Sequence, residues 1–174
     1  RGAGVPLLVH SDLRVVDDDL AVLHESFARY QDIDLGARYR PERMLLANTV
    51  TGCAALVNAA LLRCALPMPR VAMHDWWLGQ CAAAFGEVHF LDAATVLYRQ
   101  HSSNAVGASG YSGRAALLLR SPRGWWEDSA RRFLAGLRQV WILRARALSQ
   151  GIPVAESMRS AIDALWHGLG ESAG

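Results

Sequence analysis

The segment Met73-His74-Asp75-Trp76-Trp77 puts an imidazole, a carboxylate and two indoles side by side, where a helix is predicted to open. A carboxylate in the first turn of a helix has two uses. It can accept the free N–H groups there and gain from the helix dipole, or it can face a cleft and take a proton from a bound hydroxyl. The residues themselves leave both open for Asp75. Trp76 and Trp77 are neighbours on a helix and face different sides, so at most one is expected to be fully core. The other would offer a flat apolar face on which a sugar ring can stack through its C–H groups. The plainer alternative is a pair of core tryptophans at an interdomain contact.

A second group is Tyr98-Arg99-Gln100-His101, followed by the small polar run Ser102-Ser103-Asn104-Ala105-Val106-Gly107. A strand ending in Arg and His could grip diphosphate oxygens, with Arg99 as a bidentate donor and His101 as donor or metal ligand. A solvated Arg and a loop His is the bland alternative. In Asn48-Thr49-Val50-Thr51-Gly52-Cys53, one glycine among small polar residues would let the backbone approach a ligand closely, or simply turn the chain into a strand. Asp12 lacks a second carboxylate two residues on, which a Mg²⁺-diphosphate site usually wants, and is expected to be structural. His10, His24, His89 and His167 have no metal-ligand spacing and are given no role.

The elements that must position these groups follow from periodicity. Val5–His10 reads as a buried strand ending at Ser11-Asp12, and Val50–Val57 as another. Val88–Leu91 and Thr95–Arg99 read as two more, separated by Asp92-Ala93-Ala94. Helices are predicted over Leu20–Tyr30, Pro41–Ala47, Asn58–Cys64 and His74–Phe85, the last closed by Gly86 in a left-handed C-terminal role. Beyond Gly113 the pattern is helical. Phe133, Leu134, Leu137, Val140, Trp141 and Leu148 recur near 3.6-residue spacing, with Arg131, Arg132, Arg138 and Arg146 on much of the remaining circumference. A last helix is expected over Val154–Leu169. The fold class is therefore α/β for residues 1–110 and α-helical for residues 111–174, and ligands in open α/β sheets collect beyond the carboxyl ends of strands.

Composition narrows the partners. All 18 basic residues are Arg, and the net charge is only +2. Residues 1–110 are slightly acidic and residues 111–174 basic. Without a strong basic balance or aromatic-basic interleaving, a nucleic-acid partner is not expected. No apolar run is long enough to cross a bilayer. Cys53, Cys64 and Cys81 sit among small apolar residues and read as buried free thiols, which suits the cytoplasm.

Four segments in order carry a resemblance: Leu8 through Asp17, Asn48 through Cys53, Met73 through Trp77, and Leu97 through His101 with Asn104 through Gly107. Together, over about residues 6–108, they resemble the second half of family 2 glycosyltransferases, especially rhamnosyltransferase-like enzymes of cell-surface polysaccharide synthesis. The resemblance implies the C-terminal half of a GT-A-like, Rossmann-related domain with a mixed sheet. It also implies a nucleotide-sugar donor and a saccharide or lipid-linked acceptor. A divalent cation, Mg²⁺ or Mn²⁺, would be held by an Asp-x-Asp-type motif upstream of this chain. Asp75 matches the residue that deprotonates the acceptor in inverting members, although His74 stands where many relatives have Glu. Trp76, Trp77, Thr51 and Gly52 would line the acceptor, and Arg99 and His101 the donor diphosphate, with His101 a possible metal ligand. The competing expectation is a non-catalytic module. In it the Arg-rich helix around Phe133–Leu148 docks on a protein partner or on anionic membrane at the inner face of the cell membrane.

Overall fold

The computed structural model describes residues 4–31, 33, 40–70, 73–100 and 121–171. They form an α/β unit with an open, mixed four-stranded sheet and flanking helices. The central strand is β1 (Leu7–Val16), and β4 (Glu87–Arg99) runs parallel to it along its whole length. With one edge of β1 taken by β4, the other is shared by two short antiparallel strands. β2 (Val22–His24) pairs with the end of β1 and β3 (Ala55–Val57) with its beginning. The helices are α1 (Phe27–Tyr30), α2 (Ala59–Ala65), α3 (His74–Phe85), α4 (Pro122–Gln150) and α5 (Glu156–Glu171). Two 3-10 helices, Pro41–Leu45 and Gly52–Ala54, complete the set.

Two apolar clusters hold these elements. The larger joins Leu8 to α3 through Trp77 and Cys81, and adds Met44, Leu45, Leu61, Leu143, Met158 and their neighbours. The smaller gathers Leu13, Val15 and Phe27 with Tyr98, Val96 and Ala54. Odd and even positions of a strand face opposite sides, so β1 feeds both clusters. Helix α3 is apolar almost all round and is buried from Asp75 to Ala84 except at Leu78, as expected for a core helix.

Several expectations need correction. The first strand does not stop at Ser11-Asp12 but continues to Val16. The Asp92-Ala93-Ala94 break is not a strand end. It is a bulge, because β4 carries extra residues opposite Ser11–Leu13, and the Ser11 and Thr95 hydroxyls share a 2.5 Å hydrogen bond there. Leu20–Tyr30 is not one helix. Leu20 takes a positive φ of 66°, Val22–His24 pairs with β1, and only Phe27–Tyr30 is helical. The helical pattern gives way to a turn in which Asp17 Oδ1 accepts the Asp19 and Ala21 N–H groups at 3.0 and 2.8 Å, and then to the pairing of β2 with β1. The Asp12 carboxylate accepts from Ser26 Oγ at 2.5 Å and from the Ala28 N–H at 3.1 Å and fixes α1 at its start. Val50–Val57 gives a 3-10 turn and three strand residues instead of a full strand.

Gly86 follows α3 as expected, but its φ of −165° is extended, not left-handed. Its reason for being glycine is contact, since a Cβ there would lie 2.0 Å from the Pro6 carbonyl oxygen. That carbonyl accepts the Glu87 N–H at 3.0 Å, which starts β4 beside β1. Cys64 and Cys81 are buried, but Cys53 is exposed. The helices beyond residue 121 match the predicted ones closely. The Ser102–Gly107 loop lies outside the described residues.

Candidate functional site around Asp75

Helix α3 begins with His74, so Asp75 sits in its first turn. The carboxylate is buried and held from three directions. Its Oδ1 accepts from Asn48 Nδ2 at 3.0 Å and from the Trp76 N–H at 2.7 Å, and its Oδ2 accepts from the Gly52 N–H at 3.0 Å. The Asn48 amide orientation is fixed independently, because its Oδ1 accepts the Val50 N–H at 3.0 Å and leaves the NH₂ for Asp75. Thus Asn48–Gly52 and Met73–Trp77, more than twenty residues apart, meet on one carboxylate. A carboxylate offers about four lone-pair positions. Three are occupied here, and the remaining one is on Oδ2.

Gly52 is tightly placed. A Cβ on it would come within 2.7 Å of His74 Nε2 and 3.3 Å of Asp75 Oδ2, so its backbone closeness serves the carboxylate. Thr51 precedes it at the start of the 3-10 turn, half-buried, with no capping bond from its side chain. In the same loop, Thr49 Oγ1 is buried without a hydrogen-bond partner among the described residues.

The tryptophans overturn the stacking expectation. Trp76 is 5% exposed and Trp77 is fully buried, so neither offers a free face to an acceptor sugar. The Trp76 indole N–H donates to the Met44 carbonyl at 2.6 Å, and its ring lies against Gly136 of α4. The Trp77 N–H donates to the Ala65 carbonyl at 3.0 Å, and the Arg146 guanidinium lies 5.3 Å from its ring. Both surfaces of the helix are covered, one by α4 and the other by α2 and its exit. Core packing, the plainer alternative, describes both residues.

Arg99 is exposed at the end of β4, paired in register with Val16 at the carboxyl end of β1. It makes no bond to Asp75. A path of contacts does run between the two regions. Gly52 bonds Asp75, and Ala54, two residues on, packs against the Leu13–Val15–Phe27 cluster that Tyr98 also joins. His101 lies outside the described residues. Asp12, bonded to Ser26, Leu13 and Ala28, has a structural task. Among the described residues no group of three or more His, Cys, Asp or Glu could hold a metal ion. A surface groove of about 440 Å³ lies near the opposite end of β1, lined by Pro6, Arg63, Phe85 and Pro153 among others, and contains none of the candidate residues.

Sequence reasoning passed over two sets of side chains. Asn48 was legible only as part of a small polar run, yet it is the side chain that orients Asp75. Gln80 and Gln139 form a buried polar link. Gln80 Nε2 donates to the Met44 and Leu45 carbonyls at 3.2 and 2.9 Å, and Gln139 Nε2 donates to Gln80 Oε1 at 3.1 Å. It ties α3, the Pro41–Leu45 turn and α4 together beneath the site. A lone Gln in an otherwise apolar helix face was the available signal.

His10 on β1 is buried, its ring edge-on to Phe90 at 5.1 Å, and its Nε2 has no hydrogen-bond partner among the described residues. Burial lowers its pKa from 6.5 to about 4, so it is neutral near pH 7. No helix among the described residues is long and apolar enough to cross a membrane. Compared with family models, curated proteins and solved structures, the chain matches none.

Proposed function

We propose that this chain is the acceptor-side half of a GT-A-type inverting glycosyltransferase, with Asp75 as the base that activates the acceptor hydroxyl. The observation that carries this reading is the convergence on Asp75. Two of the four segments that resemble family 2 glycosyltransferases meet at its carboxylate, and Asn48 and the Gly52 N–H aim it. Inverting transfer needs one carboxylate held within hydrogen-bond reach of a hydroxyl. A side chain with both oxygens anchored and one lone pair open has lost its rotational freedom before substrate arrives, which favours a productive geometry.

In the proposed reaction the acceptor hydroxyl gives its proton to Asp75 Oδ2 as its oxygen bonds to the anomeric carbon. The bond from that carbon to the nucleoside diphosphate breaks on the opposite face. Arg99, at the carboxyl end of the parallel β1–β4 pair, is proposed to bind the departing diphosphate. The acceptor would be bound by Thr51, Gly52 and the exposed His74, while Trp76 and Trp77 support α3 from within and are withdrawn as stacking surfaces. No described residues are assigned to a divalent cation. Such an ion would have to be held by residues outside them, His101 included.

The test is nucleoside diphosphate release from a panel of nucleotide sugars with a saccharide acceptor, comparing a protein that carries both halves of the proposed enzyme with its Asp75→Asn variant. Turnover is expected to fall by far more than tenfold, with nucleotide affinity preserved in calorimetry. A change within about tenfold, worth only ~1.4 kcal/mol of barrier, would remove Asp75 from the base role.

A further inference from the structure

The outer face of α4 carries a run of large exposed apolar side chains. Trp126 is 68% exposed, Trp141 59% and Leu148 74%, and Phe133 and Leu134 are exposed with them. Steps of seven residues link Trp126 to Phe133, and Leu134 to Trp141 to Leu148, so these side chains form one stripe beside the buried line Gly136–Val140–Leu143–Ala147. At 1.5 Å per residue the stripe is roughly 33 Å long. Trp166 of α5 extends it, its ring 6.3 Å from that of Trp141 and beneath the Arg144 guanidinium.

The charge along α4 is one-sided. Six arginines stand against Glu127 and Asp128, and both acids are occupied, Glu127 by Arg123 and Asp128 by Arg131 and Arg132. Arg131 and Arg138 lie along the rim of the stripe farthest from the core, and Arg144 lies within it.

Two kinds of surface could cover such a stripe, and the arginines choose between them. A partner helix would use Leu134, Trp141 and Leu148 as one line of a heptad seam. The companion line would then be Arg131, Arg138 and Ala145 or, in the other register, Ala130, Leu137 and Arg144, and either one places at least one cation where a coiled coil buries apolar side chains. A lipid surface has the opposite preference. Tryptophan rings favour the headgroup level, and arginine can bury its stem while its guanidinium reaches the phosphates.

We infer that the Trp126–Leu148 face of α4, with Trp166, is a docking surface for an anionic lipid bilayer, on which the helix lies flat. This does not rest on the catalytic role of Asp75.

Co-sedimentation of the full 174-residue chain with vesicles tests it. Binding is expected to phosphatidylglycerol vesicles, with a blue shift in tryptophan emission, and to weaken sharply with added salt or with phosphatidylcholine vesicles. Arg131→Gln and Arg138→Gln should each weaken binding about fivefold. Trp141→Ser should weaken it while leaving the far-UV circular dichroism of this exposed position unchanged. The inference fails if the folded chain stays in the supernatant with both vesicle types, or binds both equally. It also fails if the chain elutes as a dimer that Trp141→Ser converts to monomer, since a second copy would then cover the stripe.

Discussion

Helices α3 and α4 use the same residue type in opposite ways. On α3, Trp76 and Trp77 are enclosed, and each indole N–H reaches a backbone carbonyl. On α4, Trp126 and Trp141 stand in the open. Polar groups follow the inverse rule. Asp75 and Gln80 are inside α3's surroundings and bonded, while most arginines of α4 remain outside. Side-chain chemistry alone does not decide burial here. What decides it is whether a neighbouring element covers that face, and α3 is covered on both sides whereas α4 is covered on one.

The sharpest way to break this contrast is to truncate one tryptophan from each helix. Trp77→Ala is expected to cost about 3–5 kcal/mol, through lost burial, a cavity and an orphaned Ala65 carbonyl. Trp141→Ala should stay within about 0.5 kcal/mol. Urea unfolding of the two variants measures both, and equal losses would mean that α4 is covered as α3 is.

Two arginines on α4 provide a finer test. Arg146 turns inward, with Nη1 donating to the Cys64 carbonyl at 3.0 Å and Nη2 to the Pro67 carbonyl at 2.6 Å. Arg138 faces out. Arg146→Ala should therefore lose about 2 kcal/mol, and Arg138→Ala almost nothing, in thermal or chemical unfolding.

A third test concerns the sheet. Because folding depresses the pKa of His10 from 6.5 to about 4, the unfolded chain takes up a proton first as the pH falls. The stabilisation is complete above pH 6.5, declines as the pH drops towards 4, and changes no further below that. The loss over that window is on the order of 3 kcal/mol. Urea midpoints at several pH values should show it, and His10→Leu should flatten that part of the profile. An unchanged slope in His10→Leu would place the proton uptake elsewhere.

How far the sequence could be read varies along the chain. The boundaries of α3 and the long helix beyond residue 121 were legible, because a continuous helical pattern with few breakers needs only local hydrogen bonds. Asn58 signalled the start of α2, where its side chain accepts the Leu61 N–H at 2.9 Å. The Leu20–Tyr30 stretch reads as one helix by pattern because the pairing of Val22–His24 with β1 that displaces it is decided across the sheet. Arg146 was indistinguishable from Arg131 and Arg138 by pattern, since its partners are carbonyls on another element. The first-turn acid on α3 was visible as a candidate, but not the residues that would hold it.

Order, type and approximate extent of the long helices were thus determined by the sequence itself, because propensity, capping and apolar spacing act within a few residues. Tertiary structure alone decided that Asn48 and Gly52 would close on Asp75, that both tryptophans of α3 would be enclosed, and that one apolar stripe of α4 would be left facing solvent. Each of these depends on which distant surfaces meet, and hydrogen-bond partners and burial are properties of that meeting.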